Sequence, residues 1–129
     1  VEENFFALTN QVATAGLSFP SDDGNVMMGW TGLSLTGSFT CAAGIEAWLY
    51  VQGTNDRNVT PGSRVWREIY GIRDDISLFH DSNVIYCPPG ATVNFAWRFS
   101  DLNYVYHRAR LVVTGAGNNS LSAYGRRLY

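Results

Sequence analysis

Two histidines, two cysteines and eleven acidic residues are the side chains of this 129-residue chain that could support catalysis or bind a metal ion. His107 falls among the apolar positions of an alternating segment, which predicts a structural role for its imidazole. His80 stands beside Asp81 in a polar stretch, which predicts a solvated side chain. A serine hydrolase needs a serine activated by a positioned base, and the sequence has no GxSxG motif or equivalent. These residues therefore predict no catalytic site.

The acidic residues offer two other kinds of chemistry. Glu46 and Glu68 fall in predicted strands, where they could face each other as a glycosidase pair or lie exposed as separate carboxylates. The adjacent pairs Asp22–Asp23 and Asp74–Asp75 could bind calcium together with loop carbonyls. Neither pair has the spaced ligands of a DxDxDG loop, so we predict no metal site.

The cysteines, Cys41 and Cys87, belong to no CxxC pair, which argues against zinc. Two hypotheses remain open for them. They form one disulfide if the protein is exported, or they are two buried free thiols in a core large enough to need no cross-link. We predict no cofactor in either case.

Four tryptophans bear on binding rather than on catalysis. Trp97 belongs to the core by its pattern, whereas Trp30, Trp48 and Trp66 could be exposed. Exposed aromatic rings on a β-sheet stack on sugars or anchor a protein interface. The alternative is that these three rings fill a second face of the core or lie under loops.

Short alternating strands are the elements that must position these residues. In residues 92–99, Val93, Phe95, Trp97 and Phe99 alternate with smaller or polar residues, which puts four large apolar side chains on one face. Similar runs separated by turn residues predict an all-β fold, an antiparallel β-sandwich that is jelly-roll-like and has about seven to eight strands. Residues 11–129 are predicted to form this single domain, and residues 1–10 an N-terminal arm.

Charge and hydropathy narrow the range of partners. The net charge of −2 gives no basic field for nucleic acid, and no segment is long and apolar enough to span a membrane. Charged residues are only 16% of the chain, which indicates either a surface covered by another subunit or one rich in uncharged polar residues. All nine cations are arginine, which favours an interface or reflects a coding bias.

Two segments together carry a resemblance to a known family. The first is residues 49–56, Leu-Tyr-Val-Gln-Gly-Thr-Asn-Asp, followed by Trp66. The second is residues 97–104, Trp-Arg-Phe-Ser-Asp-Leu-Asn-Tyr, followed by Tyr106, Arg108, Leu111-Val112-Val113 and the terminal pair Arg126-Arg127. This pattern resembles the head decoration, or cement, proteins of tailed bacteriophages. Thr54 stands where that family's pattern has serine.

The resemblance implies a non-enzymatic β-sandwich on the outer surface of a virion, made in the host cytoplasm. Its implied partners are the major capsid protein and sister subunits in a homo-oligomer, a trimer or a dimer. The apolar N-terminus and the paired arginines of the last strand suggest the interface residues, which are Phe5, Phe6, Leu8, Arg126, Arg127 and Tyr129. The alternative hypothesis is a carbohydrate-binding module or lectin-like adhesin that binds glycans through Trp30, Trp48 and Trp66.

Overall fold

Twelve β-strands make up the regular secondary structure of the part of the chain that the computed structural model describes. This part comprises residues 2–12, 17–21, 24–26, 30–57, 60, 63–74, 81–100, 102, 104–115 and 119–128. None of these residues belongs to a helix that is long and apolar enough to cross a membrane. The strands are β1 Glu2–Val12, β2 Leu17–Phe19, β3 Asn25–Val26, β4 Gly32–Thr40, β5 Ala47–Thr54, β6 Arg67–Glu68, β7 Gly71–Arg73, β8 Asp81–Ser82, β9 Ile85–Cys87, β10 Thr92–Phe99, β11 Tyr106–Val113 and β12 Ser120–Leu128.

The strands form two antiparallel sheets. The first has the order β1-β12-β4-β10-β7-β8, and the second has the order β2-β11-β5-β6, with β3 beside β11 and β9 beside β5. When β1, β2, β4, β5, β6, β10, β11 and β12 are counted from one to eight, the sheets have the orders 1-8-3-6 and 2-7-4-5. This is the strand order of a jelly roll. The predicted all-β, jelly-roll-like sandwich is confirmed, and β3, β7, β8 and β9 are short additions to its eight strands.

The core lies between the sheets because each long strand alternates inward apolar residues with outward ones. In β10, Phe95, Trp97 and Phe99 are buried and Val93 is half-buried, as the alternation predicted. The facing sheet contributes the buried residues of β5 and β11, which are Ala47, Leu49, Val51, Ala109 and Leu111.

Residues 2–10 of the predicted N-terminal arm are extended and continue into residues 11 and 12. They form β1, which pairs antiparallel with β12 at the edge of the first sheet, from Glu2 opposite Leu128 to Val12 opposite Ser120. The predicted boundary after residue 10 therefore falls inside a strand. Pairing with β12 satisfies backbone groups that a free arm would leave to water, and the buried Phe5 ring fixes the strand to the core.

A turn at Gly44 connects β4 to β5. Gly44 has a φ of 75°, and the Ile45 amide donates to the Ala42 carbonyl at 3.1 Å. A positive φ costs glycine little because it has no Cβ. The chain therefore leaves β4 in the first sheet and enters β5 in the second.

Both cysteines are buried free thiols. Cys41 Sγ donates to the Cys87 carbonyl at 3.8 Å, and Cys87 Sγ donates to the Ala91 carbonyl at 3.4 Å. Burial, followed by the hydrogen bond with Cys87, raises the pKa of Cys41 to about 12. Since the thiolate is the reactive form, Cys41 is chemically inert in the folded chain.

Gly37 provides a test of the close packing within the first sheet. It lies in β4 between Phe95 of β10 and Ala123 of β12, where an added Cβ would overlap the Ser122 carbonyl oxygen and approach the Phe95 ring to 2.8 Å. We expect Gly37→Ala to lower the free energy of unfolding by about 2–3 kcal/mol, measured by urea denaturation.

Gly115→Ala is the matched control, because a Cβ there would meet its nearest neighbour, the Ile45 side chain, at 3.9 Å. Its free energy of unfolding should stay within about 0.5 kcal/mol of wild type. Equal stability of the two variants would contradict the packing described for Gly37.

Candidate functional site

The outer face of the second sheet carries a continuous set of aromatic and arginine side chains. The register between β5 and β11 sets Trp48 opposite Val112, Tyr50 opposite Arg110, Gln52 opposite Arg108 and Thr54 opposite Tyr106. The residues between these positions point into the core. We call this surface the aromatic face, and it comprises Glu46, Trp48, Tyr50, Gln52, Arg64, Trp66, Glu68, Tyr86, Tyr106, Arg108, Arg110 and Val112.

One end of the aromatic face is a pair of rings, of which Tyr86 is exposed and Trp48 is half-buried. Trp48 and Tyr86 lie opposite each other on β5 and β9, with ring centroids 5.6 Å apart and planes tilted by 35°. The Tyr86 hydroxyl donates to the Glu46 carboxylate, and this hydrogen bond is the main cause that raises the pKa of Tyr86. Tyr86 is 42% exposed and Val112 is 40% exposed, so this end offers apolar surface to a partner.

At the other end, arginines lie flat against aromatic rings. The Arg108 guanidinium is 4.2 Å from the centre of the Trp66 ring, and its Nε donates to Gln52 Oε1 at 2.9 Å. The Arg64 guanidinium is 3.8 Å from the centre of the Tyr106 ring. Cation–π stacking holds these long side chains in place while their charge is retained. An ordered arginine loses less conformational entropy when it binds a partner.

The loop after β5 positions this end of the face. Asn55 Oδ1 accepts the Val105 amide at 3.0 Å, and Asp56 Oδ2 accepts the Val65 amide at 3.0 Å. The first bond fixes the approach to β11, and the second fixes the segment that carries Trp66. The polar residues of this loop therefore act on the backbone rather than on a ligand.

Gly53, near the end of β5, is required by close packing. A Cβ at this position would lie 2.5 Å from the Tyr104 ring, and the Tyr104 ring in turn meets the His107 ring edge-on at 6.0 Å. The glycine therefore allows an aromatic ring to cover the end of β5.

The three tryptophans of the glycan hypothesis do not come together. Trp48 and Trp66 both lie on the aromatic face. Trp30 is half-buried against the core, and the Arg127 guanidinium lies 4.6 Å from the centre of its ring. Trp30 therefore belongs to a separate place in the fold.

The residues predicted for the virion interface also lie in different parts of the fold. Phe5 is buried in the core, so its side chain is not on the surface of the chain. Phe6 and Leu8 lie in β1, opposite Gly125 and Ala123 of β12. Arg126 is exposed, Arg127 is half-buried beside Trp30, and Tyr129 lies outside the described residues.

The acidic residues do not form the glycosidase pair that was considered. Glu68 lies opposite Gln52 and accepts a hydrogen bond from its amide at 3.4 Å. Glu46 precedes Gln52 by six positions along an extended chain, which separates them by roughly 20 Å. Glycosidase carboxyl groups stand within about 10 Å of each other.

No group of three or more His, Cys, Asp or Glu side chains within the described ranges could hold a metal ion. Asp74 forms an ion pair with Arg98, with its Oδ2 2.8 Å from the arginine Nε. The other residues of the calcium hypothesis, Asp22, Asp23 and Asp75, lie outside the described ranges, as does His80.

His107 is fully buried on the inward side of β11, in agreement with the structural role that its pattern predicted. Neither ring nitrogen has a hydrogen-bond partner among the residues that the structure describes. Burial lowers the pKa of His107 to about 4, so the imidazole is neutral at pH 7.

Sequence reasoning assigned no binding role to eight residues of the aromatic face, several of which it used only for the family resemblance: Tyr50, Gln52, Arg64, Tyr86, Tyr106, Arg108, Arg110 and Val112. Part of their signal was present for β11, because His107 was predicted to lie on the apolar side of an alternating segment and the even-numbered residues must then point outward. It was absent for Arg64 and Tyr86, whose neighbours come from distant parts of the sequence.

Comparison with known proteins supports the fold. No family model matches the chain, and no curated protein matches it. The solved structure of the SPBc2 prophage-derived protein YomS is similar, with a TM-score of 0.55 and 10% sequence identity over 98% of this chain and 90% of that one. This likeness concerns the arrangement of strands.

The buried His107 predicts a specific dependence of stability on pH. The unfolded imidazole takes up a proton below about pH 6.5, whereas the folded one stays neutral until about pH 4. The free energy of unfolding should therefore fall between pH 6.5 and pH 4, by up to about 3 kcal/mol. We expect His107→Leu to flatten this fall in urea denaturation curves measured across that range.

His80→Gln is the control, because it removes the other histidine and leaves His107 in place. It should keep the wild-type pH dependence. Parallel curves for wild type and His107→Leu would show that His107 is not the group responsible.

Proposed function

We propose that this chain is a structural protein of a bacteriophage particle, a head decoration or cement protein that binds the outer shell and sister subunits. The observation that carries the proposal is that some of the resemblance residues meet at one surface, whereas Trp97, Phe99 and the Arg126–Arg127 pair belong to the first sheet. Residues 49–56 end β5 and form its loop, Tyr106 and Arg108 lie opposite on β11, and Trp66 stacks on Arg108. We assign the contact with the major capsid protein to this aromatic face.

The chemistry of the aromatic face suits a protein partner. Trp, Tyr and Arg are the residues most enriched at the energetic centres of protein interfaces. The face as defined has Arg64, Arg108 and Arg110 against Glu46 and Glu68, a positive balance on a chain of net charge −2. It therefore favours an acidic or polar surface on the capsid protein.

The fold comparison supports the phage origin in a coarse way. The structure that this chain resembles along nearly its whole length is that of a prophage-derived protein. Folds host many functions, so the proposal rests on the aromatic face and takes only the phage context from the likeness. We propose no catalytic role and no cofactor, because the arginines and carboxylates of the face are engaged with aromatic rings, hydroxyl groups and a side-chain amide of the chain itself.

Mass spectrometry of purified phage particles from the source tests the proposal. We expect the tryptic peptide 99–108, FSDLNYVYHR, at a fixed ratio to the major capsid protein, near one copy per capsid subunit or a simple fraction of it. A few copies per particle would indicate a tail or fibre adhesin instead. Absence from particles would overturn the virion role.

Point variants test the assigned surface. Phage shells that lack this protein are mixed with a limiting amount of the purified chain, and the bound amount is measured. Tyr86→Ala should lower the bound amount by about tenfold or more, because it removes an exposed ring from the face. Tyr124→Ala is the matched control, since Tyr124 is 43% exposed against 42% for Tyr86 and lies on the opposite sheet. Equal occupancy for the two variants would contradict the assignment.

Glycan binding is the second candidate, and the Trp48–Tyr86 pair favours it. The Tyr86 ring is exposed and Trp48 lies half-buried beside it, whereas an arginine lies over one side of both Trp66 and Trp30. If a sugar stacks here, its titration should shift the tryptophan fluorescence of wild type, and Trp48→Ala should abolish the shift while Trp30→Ala preserves it. No shift with a broad glycan panel would count against this function.

A further inference from the structure

β1 is the longest described strand, with eleven residues, and it forms an outer edge of the first sheet. Its one partner in the described part of the chain is β12. The other described edge strands, β2, β3, β6, β8 and β9, have two or three residues each. At about 3.4 Å per residue, β1 presents an edge of roughly 37 Å whose outward backbone groups can pair with another strand.

The edge has one of the features that protect natural sheets from pairing, since two register shifts of the β-bulge type interrupt it, but it lacks others. Its sequence contains no proline and no lysine, and from Asn4 to Val12 it contains no charged residue. Its pairing with β12 is irregular between Asn4 and Phe6 and again between Leu8 and Gln11. The regular stretch between these points is centred on Ala7, which is also the midpoint of the strand.

We propose that the outer edge of β1 pairs antiparallel with β1 of a second copy of this chain, with the two-fold axis at Ala7. Antiparallel pairing sets Glu2 opposite Val12 and Glu3 opposite Gln11. Parallel pairing would set each glutamate opposite its own copy, one strand spacing away, and like charges in that position are destabilising. The regular stretch of residues 6–8 between the two irregular points selects this axis.

The charges within the chain agree with this arrangement. Glu3 lies opposite Arg127 of β12 in the register between the two strands. In the antiparallel dimer the two acidic ends lie at opposite ends of the joint, roughly 34 Å apart. The inference rests on the proposed function for the role of the dimer as a sister contact, but its test is made in solution without shells.

Lysine substitution at the axis tests the pairing. Ala7 is exposed, so Ala7→Lys should fold, with an unchanged far-ultraviolet circular dichroism spectrum. Two lysines at the axis repel each other and block strand addition. In sedimentation at about 0.1 mM, wild type should be a dimer and Ala7→Lys should dissociate at least tenfold more readily.

Thr36→Lys is the matched control. Thr36 lies opposite Tyr124, which lies opposite Ala7, so all three share one row of the sheet. Thr36 is exposed on a central strand, and its lysine should leave the dimer intact. A monomeric wild type, a dimeric Ala7→Lys variant, or a dimer broken equally by both lysines would each overturn the proposal.

Cysteine at the axis tests the register. Antiparallel partners have Cα atoms about 4.5–5.5 Å apart, within the range of a disulfide, so Ala7→Cys should cross-link two chains under oxidation. Thr36→Cys should give no cross-link. Absence of the Ala7→Cys cross-link would overturn the axis. If the wild type is monomeric and Ala7→Lys nevertheless lowers its binding to shells, the edge of β1 pairs with a strand of the capsid protein. That result would overturn self-pairing and leave the proposed function standing.

Discussion

The register between β5 and β11 is the constraint on which the rest of the molecule depends. Eight consecutive pairs, from Ala47 opposite Val113 to Thr54 opposite Tyr106, determine which residues enter the core and which form the aromatic face. A slip of one residue would exchange the two sets, burying the arginines and exposing Leu49 and Leu111. The burial of the apolar residues therefore fixes the register, and the register fixes the positions of the side chains on the aromatic face.

Local alternation was sufficient to predict the inward residues of β10 and β11, and therefore the sandwich. It was insufficient wherever a long-range partner decides the outcome. Gly44 reads as a bulge or as a turn until it is known that β4 and β5 belong to different sheets. The first residues form a strand because β12 offers an edge, and Trp30 is covered by Arg127 from the far end of the chain. The sequence was sufficient to predict which residues of one strand of the aromatic face point outward, because that strand alternates clearly.

Stacking explains how a surface rich in arginine remains ordered. A guanidinium held against a ring keeps its charge but gives up much of its freedom before any partner arrives, so binding costs less entropy. Asn55 and Asp56 extend the same principle to the backbone, because their side chains hold the segments that carry the rings. These polar groups are used for positioning, which is what a recognition surface requires.

The edge of β1 and the aromatic face belong to different sheets, so the two proposed contacts do not compete. A dimer joined along β1 extends the first sheet across the two-fold axis and leaves the face of each second sheet uncovered. It then presents two identical faces at a fixed separation. Once one face has bound a shell, the second binds at a high effective concentration if the spacing of shell subunits matches. Weak contacts at each face are then enough for stable attachment, and this is consistent with a face made of half-buried rings and the exposed Tyr86 ring rather than a deep pocket.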